Sequence, residues 1–506
     1  MTSGAAGHFD LGQWYRYKSL VFIFGAYRNR ARANIPMNDP TRLVDPRSTV
    51  SSGKAASGDD DPFALFAEHV NPRLGQVLHL IGFDKAWQRA LGPYLWDKDG
   101  DRYLDLLAGY GVFNVGRNHP RVRDALVNHL MSEAPSLVQL EAPLLAGRLA
   151  ERLKRLVDNR LERVYFTSSG HEGIETAMKF ARAATGRSAF IRTSAAFHGL
   201  TTGALALNGT KSFREPFGAT TIDVREVPFN DLAALEAALH GGDIAAFVVE
   251  PIQGKRVAIP SSGYLREAAR LCRRHGTLFV VDEVQTGLGR TGRMFAFEHD
   301  GDVDPDMIVI SKALSGGFVP VGAVLYRKSV YDRVFSSLER CVVHSSTFGQ
   351  GALAMAAGLA ALDVIEGERL PERAARLGDR LGAGLSALKA RNEFIREVRW
   401  RGLMLGIEFG PPRSLALKTA WGLAHKLDQG LFCQAVIMPL FAQHHMLTQV
   451  SGPGVDIIKL IPPLVIDEAD VDAVIAAFDD VLSGLLRFPG PAWSALSGLA
   501  RNAMRA

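Results

Sequence analysis

The 506-residue chain has little cysteine, and this scarcity restricts the kinds of protein it can be. Its three cysteines, Cys272, Cys341 and Cys433, stand far apart from one another. Small secreted domains that depend on disulfides carry many more, so this set predicts reduced thiols in a cytoplasmic protein. Neither a Cys-x-x-Cys nor a His-x-x-x-His spacing occurs, and the sequence therefore predicts no metal site.

Long apolar runs are also absent. No stretch reaches the roughly 20 apolar residues that a helix needs to cross a bilayer. The opening letters "MTSGAAGHFDLG" lack the basic and apolar regions of a signal peptide, so we expect none. Charge of one sign is in small excess, since the formal net charge is +5. Spread over this length, that charge attracts nucleic acid weakly, and we expect no nucleic-acid partner.

Composition divides the chain into five segments. Residues 1–62 join an aromatic and basic stretch to a linker rich in glycine and serine, which indicates an extension outside the globular body. We expect residues 63–130 and 371–485 to build a smaller α+β domain and residues 131–370 to build a large one. Residues 486–506 form a tail that is again aromatic and basic.

Short β-rich runs alternate with helical periodicity through the predicted large domain. The runs are "RVYFTS", "SAFIRT", "IAAFVVE", "TLFVVDEV" and "MIVIS", and helical spacing is clear in "IETAMKFARAA" and "GYLREAARLCRRHG". Such alternation predicts an α/β domain, with a mostly parallel sheet and helices on both of its faces.

Polar or charged residues follow four of these runs. Phe197 and His198 come after "SAFIRT", Glu250 and Asp282 end the next two runs, and Lys312 comes after "MIVIS". A single acid or lysine at a strand end is usually an ion-pair partner or a cap. Because parallel strands end at one edge of a sheet, we expect all of these residues to meet there, where α/β proteins bind ligands.

One kind of ligand accounts for these residues together, namely a planar pyridine that carries an aldehyde and a phosphate. The amine of Lys312 can form a Schiff base with the aldehyde. The carboxylate of Asp282 can keep the ring nitrogen protonated, and Phe197 can stack on the ring. The small residues Ser169 and Gly170 precede a predicted helix, whose first N–H groups can bind the phosphate.

At this point the sequence resembles the class III pyridoxal-phosphate-dependent aminotransferases. The resemblance spans roughly residues 90–485. It is carried, in the family's order, by "YLDLLAGYGVFNVGRNHP", "TSSGHEGIETAMKFARAATGR", "AFHG", "EPIQG", "VVDEVQTGLGRTG", "ISKALSGG" and "HSSTFGQ". It implies fold type I, pyridoxal 5'-phosphate as cofactor, and Lys312 as the Schiff-base lysine and proton shuttle. It also implies that Asp282 binds the pyridine nitrogen.

The resemblance implies roles for further residues. Val284 matches the side chain behind the ring, and Gln285 matches a residue near the ring hydroxyl. His171, together with Gly170, matches the phosphate loop. Glu250 matches an acid that we expect to orient groups beside the ring. His198 adjoins the stacking residue and is expected among the cofactor contacts.

Two kinds of partner follow from the resemblance. The small-molecule partners are an amine donor and a carbonyl acceptor. Thr347 matches a threonine that reaches the phosphate of the neighbouring subunit, which implies a homodimer. The aromatic and basic terminal segments, including Trp493, suit either packing on the dimer or contact with a membrane surface, which would make the cytoplasmic protein peripheral to a membrane.

Other functions were weighed against aminotransfer. The segment "GLGRTG", residues 287–292, fits the G-x-G-x-x-G dinucleotide pattern, but the letters after it do not indicate the helix that this pattern requires. The same cofactor also supports decarboxylases, aminomutases and racemases, and these remain alternatives. A cofactor-fold protein without activity is disfavoured because Lys312 and Asp282 are both present.

Departures from the family pattern concern the substrate. Leu200 stands where many relatives have an arginine that binds a carboxylate, and it offers an apolar wall instead. Lys255 and Lys459 occupy the positions of a glutamate and an arginine that form an ion pair in relatives. Two lysines cannot pair, so we expect them to face solvent or to bind an anion. The sequence thus predicts one partner without a carboxylate near the reacting carbon, and an amino acid or keto acid held by Lys459, Lys255 or Arg256.

Overall fold

The computed structural model describes residues 62–138, 140–427 and 430–487, together with residues 490 and 493. The predicted extension over residues 1–62 lies outside this part of the chain, apart from its last residue, and so does most of the predicted tail over residues 486–506. The described residues belong to one compact unit, Asp61–Ala506.

The strands and helices alternate along the chain. The strands are β1 Trp87–Leu91, β2 Tyr94–Asp97, β3 Arg102–Asp105, β4 Arg163–Thr167, β5 Ala189–Thr193, β6 Val224–Val227, β7 Ile244–Val249, β8 Leu278–Asp282, β9 Met307–Ile310, β10 Gly322–Tyr326, β11 Ile395–Arg401, β12 Met404–Phe409, β13 Met446–Leu447, β14 Gln449–Val450 and β15 Ile457–Leu460. The helices are α1 Pro62–His69, α2 Pro72–Leu80, α3 Ala108–Gly111, α4 Pro120–Met131, α5 Leu144–Arg155, α6 Gly170–Thr185, α7 Thr202–Ala206, α8 Lys211–Arg214, α9 Leu232–Leu239, α10 Tyr264–Arg274, α11 Lys328–Val334, α12 Ala352–Gly367, α13 Leu370–Ala387, α14 Leu415–Leu427, α15 Leu431–Ala442 and α16 Glu468–Leu485.

A seven-stranded sheet forms the centre of the fold, with strand order β4-β10-β9-β8-β7-β5-β6. Strands β9, β8, β7, β5 and β6 run parallel to one another, whereas β10 pairs antiparallel with both β4 and β9. The prediction of an α/β fold with a mostly parallel sheet is therefore confirmed.

Both faces of the central sheet are covered, which explains why its strands are apolar along their whole length. Along β7, Phe247 and Val249 pack into the larger hydrophobic cluster, while Val248 packs into a second cluster on the opposite face. Helix α6 belongs to the second cluster through Ile174 and Phe180. The sheet therefore has helices on each side, and its polar residues concentrate at its edge.

Two four-stranded sheets flank the central one, with orders β1-β2-β3-β13 and β11-β12-β15-β14. Strand β13 is parallel to β3, and Met446 pairs with Leu104. Distant parts of the chain thus share one sheet. In the other sheet, Lys459 of β15 pairs with Gly406 of β12 and with Gln449 of β14.

Arg290, within the segment "GLGRTG", joins the central region to the flanking segments. Its side chain is fully buried and donates to the carbonyl of Leu403 (3.0 Å), to the carbonyl of Pro462 and to Asn114 Oδ1 (2.6 Å). The chain then continues into a 3-10 helix, Ala296–Asp300, and not into an α-helix. This segment therefore has a structural role, and it lacks the turn into a helix that binds a dinucleotide.

Trp493, at the end of the described chain, bears on the roles predicted for the terminal segments. Trp493 is only 5% exposed, and its indole N–H donates to the carbonyl of Leu485 at 3.0 Å. Its ring lies near Phe394 and Phe432. Trp493 is therefore part of the core. Of the two roles expected for the terminal segments, packing on the dimer or contact with a membrane surface, this side chain cannot serve the second, because folding has already buried its apolar area. Within the described residues, no helix has the length and apolar character required to cross a bilayer.

Candidate active site

A cavity of about 1120 Å³ lies where β5, β7, β8 and β9 end. The structure brings most of the predicted site residues together around it, namely Ser169, Gly170, His171, Phe197, His198, Glu250, Lys255, Asp282, Val284, Gln285, Lys312 and Lys459. Three predicted residues do not line it, namely Leu200, Arg256 and Thr347. The convergence of the strand ends is thus observed, while part of the predicted substrate site lies elsewhere.

Lys312 follows β9 directly and begins a short 3-10 helix, Lys312–Ser315. Its φ of +40° is in the left-handed region, which costs a side-chain-bearing residue about 1–3 kcal/mol. The neighbouring Ser311 hydroxyl donates to the carbonyl of Val321 at 2.7 Å and fixes this turn. Burial lowers the pKa of the Lys312 ammonium, although the charges of Asp282 and Glu250 act in the opposite direction. The site therefore favours a neutral, nucleophilic amine.

Asp282, the last residue of β8, is buried and has two hydrogen-bond partners. Its Oδ2 lies 2.7 Å from His198 Nδ1, and its Oδ1 accepts from the backbone N–H of Val284 at 3.0 Å. Burial alone would lower the pKa of His198, but the hydrogen bond and charge of Asp282 outweigh it and raise that pKa. The hydrogen bond therefore favours the charged imidazolium form of His198.

Glu250 connects two loops of the site through hydrogen bonds to their backbone. Its Oε2 accepts from the backbone N–H of Phe197 at 3.0 Å, and its Oε1 accepts from the N–H of Gly254 at 2.8 Å. Burial raises the pKa of this carboxyl, while the nearby His198 lowers it. Glu250 thus holds the backbone on either side of the cavity.

The N-terminus of α6 is arranged to receive an anion. Ser169 caps the helix, since its hydroxyl accepts from the backbone N–H of Glu172 at 3.3 Å. A Cβ atom at Gly170 would lie 2.8 Å from Val284 Cγ1, so only glycine allows this loop to pack on the end of β8. The sixteen-residue helix α6 presents its first turn to the cavity. This arrangement fits the phosphate of the predicted cofactor.

Lys459 is buried and does not face solvent, which was one of the two alternatives expected for it. It is 5% exposed, and its Nζ donates to the carbonyl of Gly254 (2.9 Å) and to Gln285 Oε1 (3.3 Å). The reason is the register of β15, a strand that is buried along its whole length. Burial, reinforced by the charge of Lys312, lowers the pKa of Lys459 to about 7, despite the opposing charge of Glu250.

Lys255 also lines the cavity, where its Nζ donates to the Thr210 hydroxyl at 3.0 Å. Burial and the charge of Arg256 lower its pKa. Arg256 itself is exposed and lines a separate cavity of about 370 Å³. It therefore cannot share the main cavity with the two lysines, as the sequence had suggested.

Leu200 and Thr347 lie away from the cavity in their own chain. The backbone turns at Gly199, with a φ of +127°, and Leu200 beyond the turn is 55% exposed. Leu200 is therefore not part of the apolar wall of this cavity in its own chain, and its contact with substrate stays a prediction. Thr347 is exposed as well, so its predicted contact with a neighbouring subunit stays a prediction.

Other residues, which the sequence did not single out, form the apolar wall. They include Val112, Phe213, Phe318, Leu431 and Val450. The ring of Phe213 meets that of Phe197 edge to face, with 5.7 Å between centroids. The Tyr110 hydroxyl donates to Gln449 Oε1 across the same cavity. Tyr110 lies in "YLDLLAGYGVFNVGRNHP", one of the segments that carry the family resemblance. The residues contributed by α15 and β14 follow no local sequence pattern that could have identified them.

Comparison with known proteins places this geometry in context. The chain is 36% identical to the aminotransferase PigE of a Serratia species in an alignment of 461 residues that covers 85% of this chain and 54% of that protein. The chain therefore spans about half the length of this curated relative.

Solved structures are similar over most of the chain. An ornithine aminotransferase from Toxoplasma gondii ME49 matches with a TM-score of 0.71 at 31% identity, covering 80% of this chain and 91% of that one. An amine transaminase from an uncultivated Pseudomonas species, in its pyridoxal-phosphate-bound form, matches with a TM-score of 0.68 at 28% identity, covering 79% and 94%. The family model described as aminotransferase class-III matches residues 83–482. The chain thus belongs to the class III aminotransferase family, whose members use pyridoxal 5'-phosphate.

Proposed function

We propose that this protein is an aminotransferase with two dissimilar partners. One is an amino acid and keto acid pair such as glutamate and 2-oxoglutarate. The other is a primary amine or aldehyde that has no carboxylate near the reacting carbon. The observation that carries the proposal is a single cavity in which Lys312 and the Asp282–His198 pair face an apolar wall, with Lys459 at its polar side.

The residues present fit the cofactor of the family. When bound, pyridoxal phosphate supplies an electron-withdrawing ring that stabilises negative charge on the substrate carbon. The N-terminus of α6, with Ser169 and Gly170, would hold the phosphate. Phe197 and Val284 would contact the ring, and Asp282 would accept a hydrogen bond from the protonated ring nitrogen. His198 Nδ1, 2.7 Å from Asp282 Oδ2, would orient this carboxylate.

Lys312 carries the proton transfers in this proposal. Its lowered pKa makes the free amine available at Nζ once the substrate amine has displaced it. That amine would take up and release a proton at Nζ beside the substrate carbon, as a general base and then as a general acid. The turn at Lys312, fixed by Ser311, directs the side chain from the end of β9 into the cavity.

The walls of the cavity support the choice of partners. Phe213, Leu431 and Val450 offer apolar contact to the partner without a carboxylate. Lys459 and Lys255 are the lysines that line the cavity apart from Lys312, and they can bind the carboxylate of the acid partner.

The test is a pair of half-reactions measured with the holoenzyme. Glutamate should yield one 2-oxoglutarate per active site, and an aliphatic aldehyde added afterwards should be converted to its primary amine. Lys312→Ala should lower both rates at least about 10³-fold. Lys328→Ala, which removes a surface lysine paired with Asp332, is the matched control and should change neither.

The outcome also separates the alternatives. Carbon dioxide released in place of a keto acid would identify a decarboxylase, and isomerised amino acid without keto acid would identify a racemase or an aminomutase. If ornithine proves the best donor by a wide margin over diamines and long-chain amines, the proposed partner without a carboxylate is wrong.

A further inference from the structure

We propose that Lys459 lets one cavity accept both kinds of partner, because it binds the acid's carboxylate as an ammonium group and loses its proton when the other partner occupies the cavity. This inference rests on the proposed function. It assigns to one side chain the discrimination between a substrate with a carboxylate and one without.

The geometry makes Lys459 a cation without a counter-ion. Both partners of its Nζ are neutral oxygens, the Gly254 carbonyl and Gln285 Oε1. Among the described residues, no carboxylate lies within ion-pair distance of this ammonium. A buried charge without a counter-ion is strongly unfavourable, so the site gains either from deprotonation or from an anion that enters the cavity.

The surrounding charges favour the same behaviour. The other titratable groups lining the cavity are Lys312, Lys255, Glu250, Asp282, His171, His198 and Tyr110. Both carboxylates are already engaged, Asp282 by His198 and Glu250 by two backbone N–H groups. Burial is the largest cause that brings the pKa of Lys459 to about 7. Either protonation state is thus accessible near neutral pH.

Binding of the acid is therefore coupled to proton uptake. Neutral Lys459 takes one proton from solvent and forms an ion pair with the incoming carboxylate, and no other bond changes. When the partner without a carboxylate replaces the acid, the proton returns to solvent. An arginine could not do this, because a guanidinium keeps its charge and would remain buried and unpaired beside an apolar ligand.

Gln285 adds a second contact that orients the group. Its Nε2 donates to the Tyr110 carbonyl at 3.0 Å, which leaves Oε1 available to Lys459. A Cβ atom at Gly254 would lie 2.6 Å from Gln285 Oε1, so the glycine permits this close approach. The Lys459 amine is thus held at one place in the cavity in both of its charge states.

Calorimetric binding of glutarate, a dicarboxylate that has no amine or keto group to react, tests the inference. Titrations of the holoenzyme in buffers with different ionisation enthalpies give the number of protons taken up. We expect roughly one proton per site at about pH 8, almost none near pH 6, and an affinity that falls roughly tenfold per pH unit above neutrality. Lys328→Gln, at the surface, should retain this behaviour.

Two variants identify the responsible group. Lys459→Arg should keep glutarate affinity at every pH but take up no proton, and its half-reaction with the aldehyde should slow. Lys459→Gln should lose most of the affinity. Proton uptake on glutarate binding that persists in Lys459→Arg would belong to another group, such as Lys255 or the cofactor. That result would overturn the inference. If wild-type enzyme performs neither half-reaction, the proposed function fails instead.

Discussion

His198 Nδ1 and Asp282 Oδ2 lie 2.7 Å apart in the buried part of the cavity, and the carboxylate raises the pKa of the imidazole. Two residues from different strand ends, 84 positions apart in the chain, thus form one buried pair, in the place where we propose that Asp282 binds the ring nitrogen of the cofactor.

The first prediction uses this pair. Asp282→Asn keeps the shape of the side chain but removes its charge, so the ring nitrogen loses its protonating partner and the half-reaction with glutamate should slow by about 10²-fold or more. Cofactor content, measured by visible absorbance, should fall much less. A rate close to that of the wild type in Asp282→Asn would show that charge at this position is unnecessary.

The second prediction concerns the apolar wall. Phe213→Ala removes an aromatic face that meets Phe197, and it should raise KM for an aliphatic amine about tenfold while leaving KM for glutamate near its original value. Phe217→Ala is the matched control, because Phe217 follows in the same segment, is 77% exposed and does not line the cavity. Equal effects of the two substitutions on the amine would argue against the assigned wall.

The third prediction tests the proposed homodimer. Around Thr347, exposed apolar residues offer a surface that a second copy could cover, namely Leu338 (92% exposed), Val342 (70%) and Phe348 (67%). Thr347→Ala should weaken cofactor binding and slow turnover if the threonine serves the neighbouring site.

Mixing the Lys312→Ala variant with the impaired Thr347→Ala variant makes this test specific. In a mixed dimer of Lys312→Ala and Thr347→Ala chains, one site has both native residues and the other has neither. Unfolding and refolding an equal mixture should therefore restore about a quarter of the wild-type sites. No recovery, in a mixture shown to contain mixed dimers, would mean that Thr347 does not act across the interface.

The fourth prediction concerns the dependence of stability on pH. Burial raises the pKa of Glu283 from 4.5 to about 7, although the Thr286 hydroxyl and the backbone N–H of Phe297 oppose this. Between these two values the folded state binds more protons than the unfolded state, so the contribution of Glu283 to stability falls as pH rises. The free energy of unfolding of Glu283→Gln should accordingly rise, relative to wild type, by up to about 3 kcal/mol across this window.

Urea unfolding followed by tryptophan fluorescence at several pH values between about 5 and 8 would measure this difference. Glu298→Gln is a comparison variant. Because burial raises the pKa of the nearby Glu298 as well, its difference from wild type should change with pH in the same direction. A difference between Glu283→Gln and wild type that stays constant with pH would contradict the prediction.

The central part of the site could be predicted because it is encoded locally. Asp282 and Lys312 each follow a buried apolar strand, and parallel pairing of β8 with β9 then brings them to the same edge. Gly170 and Ser169 likewise begin a helix that shows its own periodicity. For these residues, strand order adds little to what the adjacent sequence already indicates.

The substrate side could not be predicted in the same way, because it depends on contacts between distant segments. The burial of Lys459 follows from its position on β15, between β12 and β14, and not from its neighbours in the sequence. Leu200 was expected in the cavity because it adjoins site residues in the sequence. The turn at Gly199, however, separates it from them. Phe213 and Leu431 meet only once the strands and helices have assembled.

The left-handed backbone at Lys312 has an evolutionary consequence. Glycine would adopt a φ of +40° more easily than lysine, so the fold by itself disfavours the residue found there. Selection for stability alone would tend to replace this lysine, and a lineage that no longer used the amine would have little to oppose the change. The chemistry proposed for Lys312 would thus have to outweigh a cost in stability at this turn.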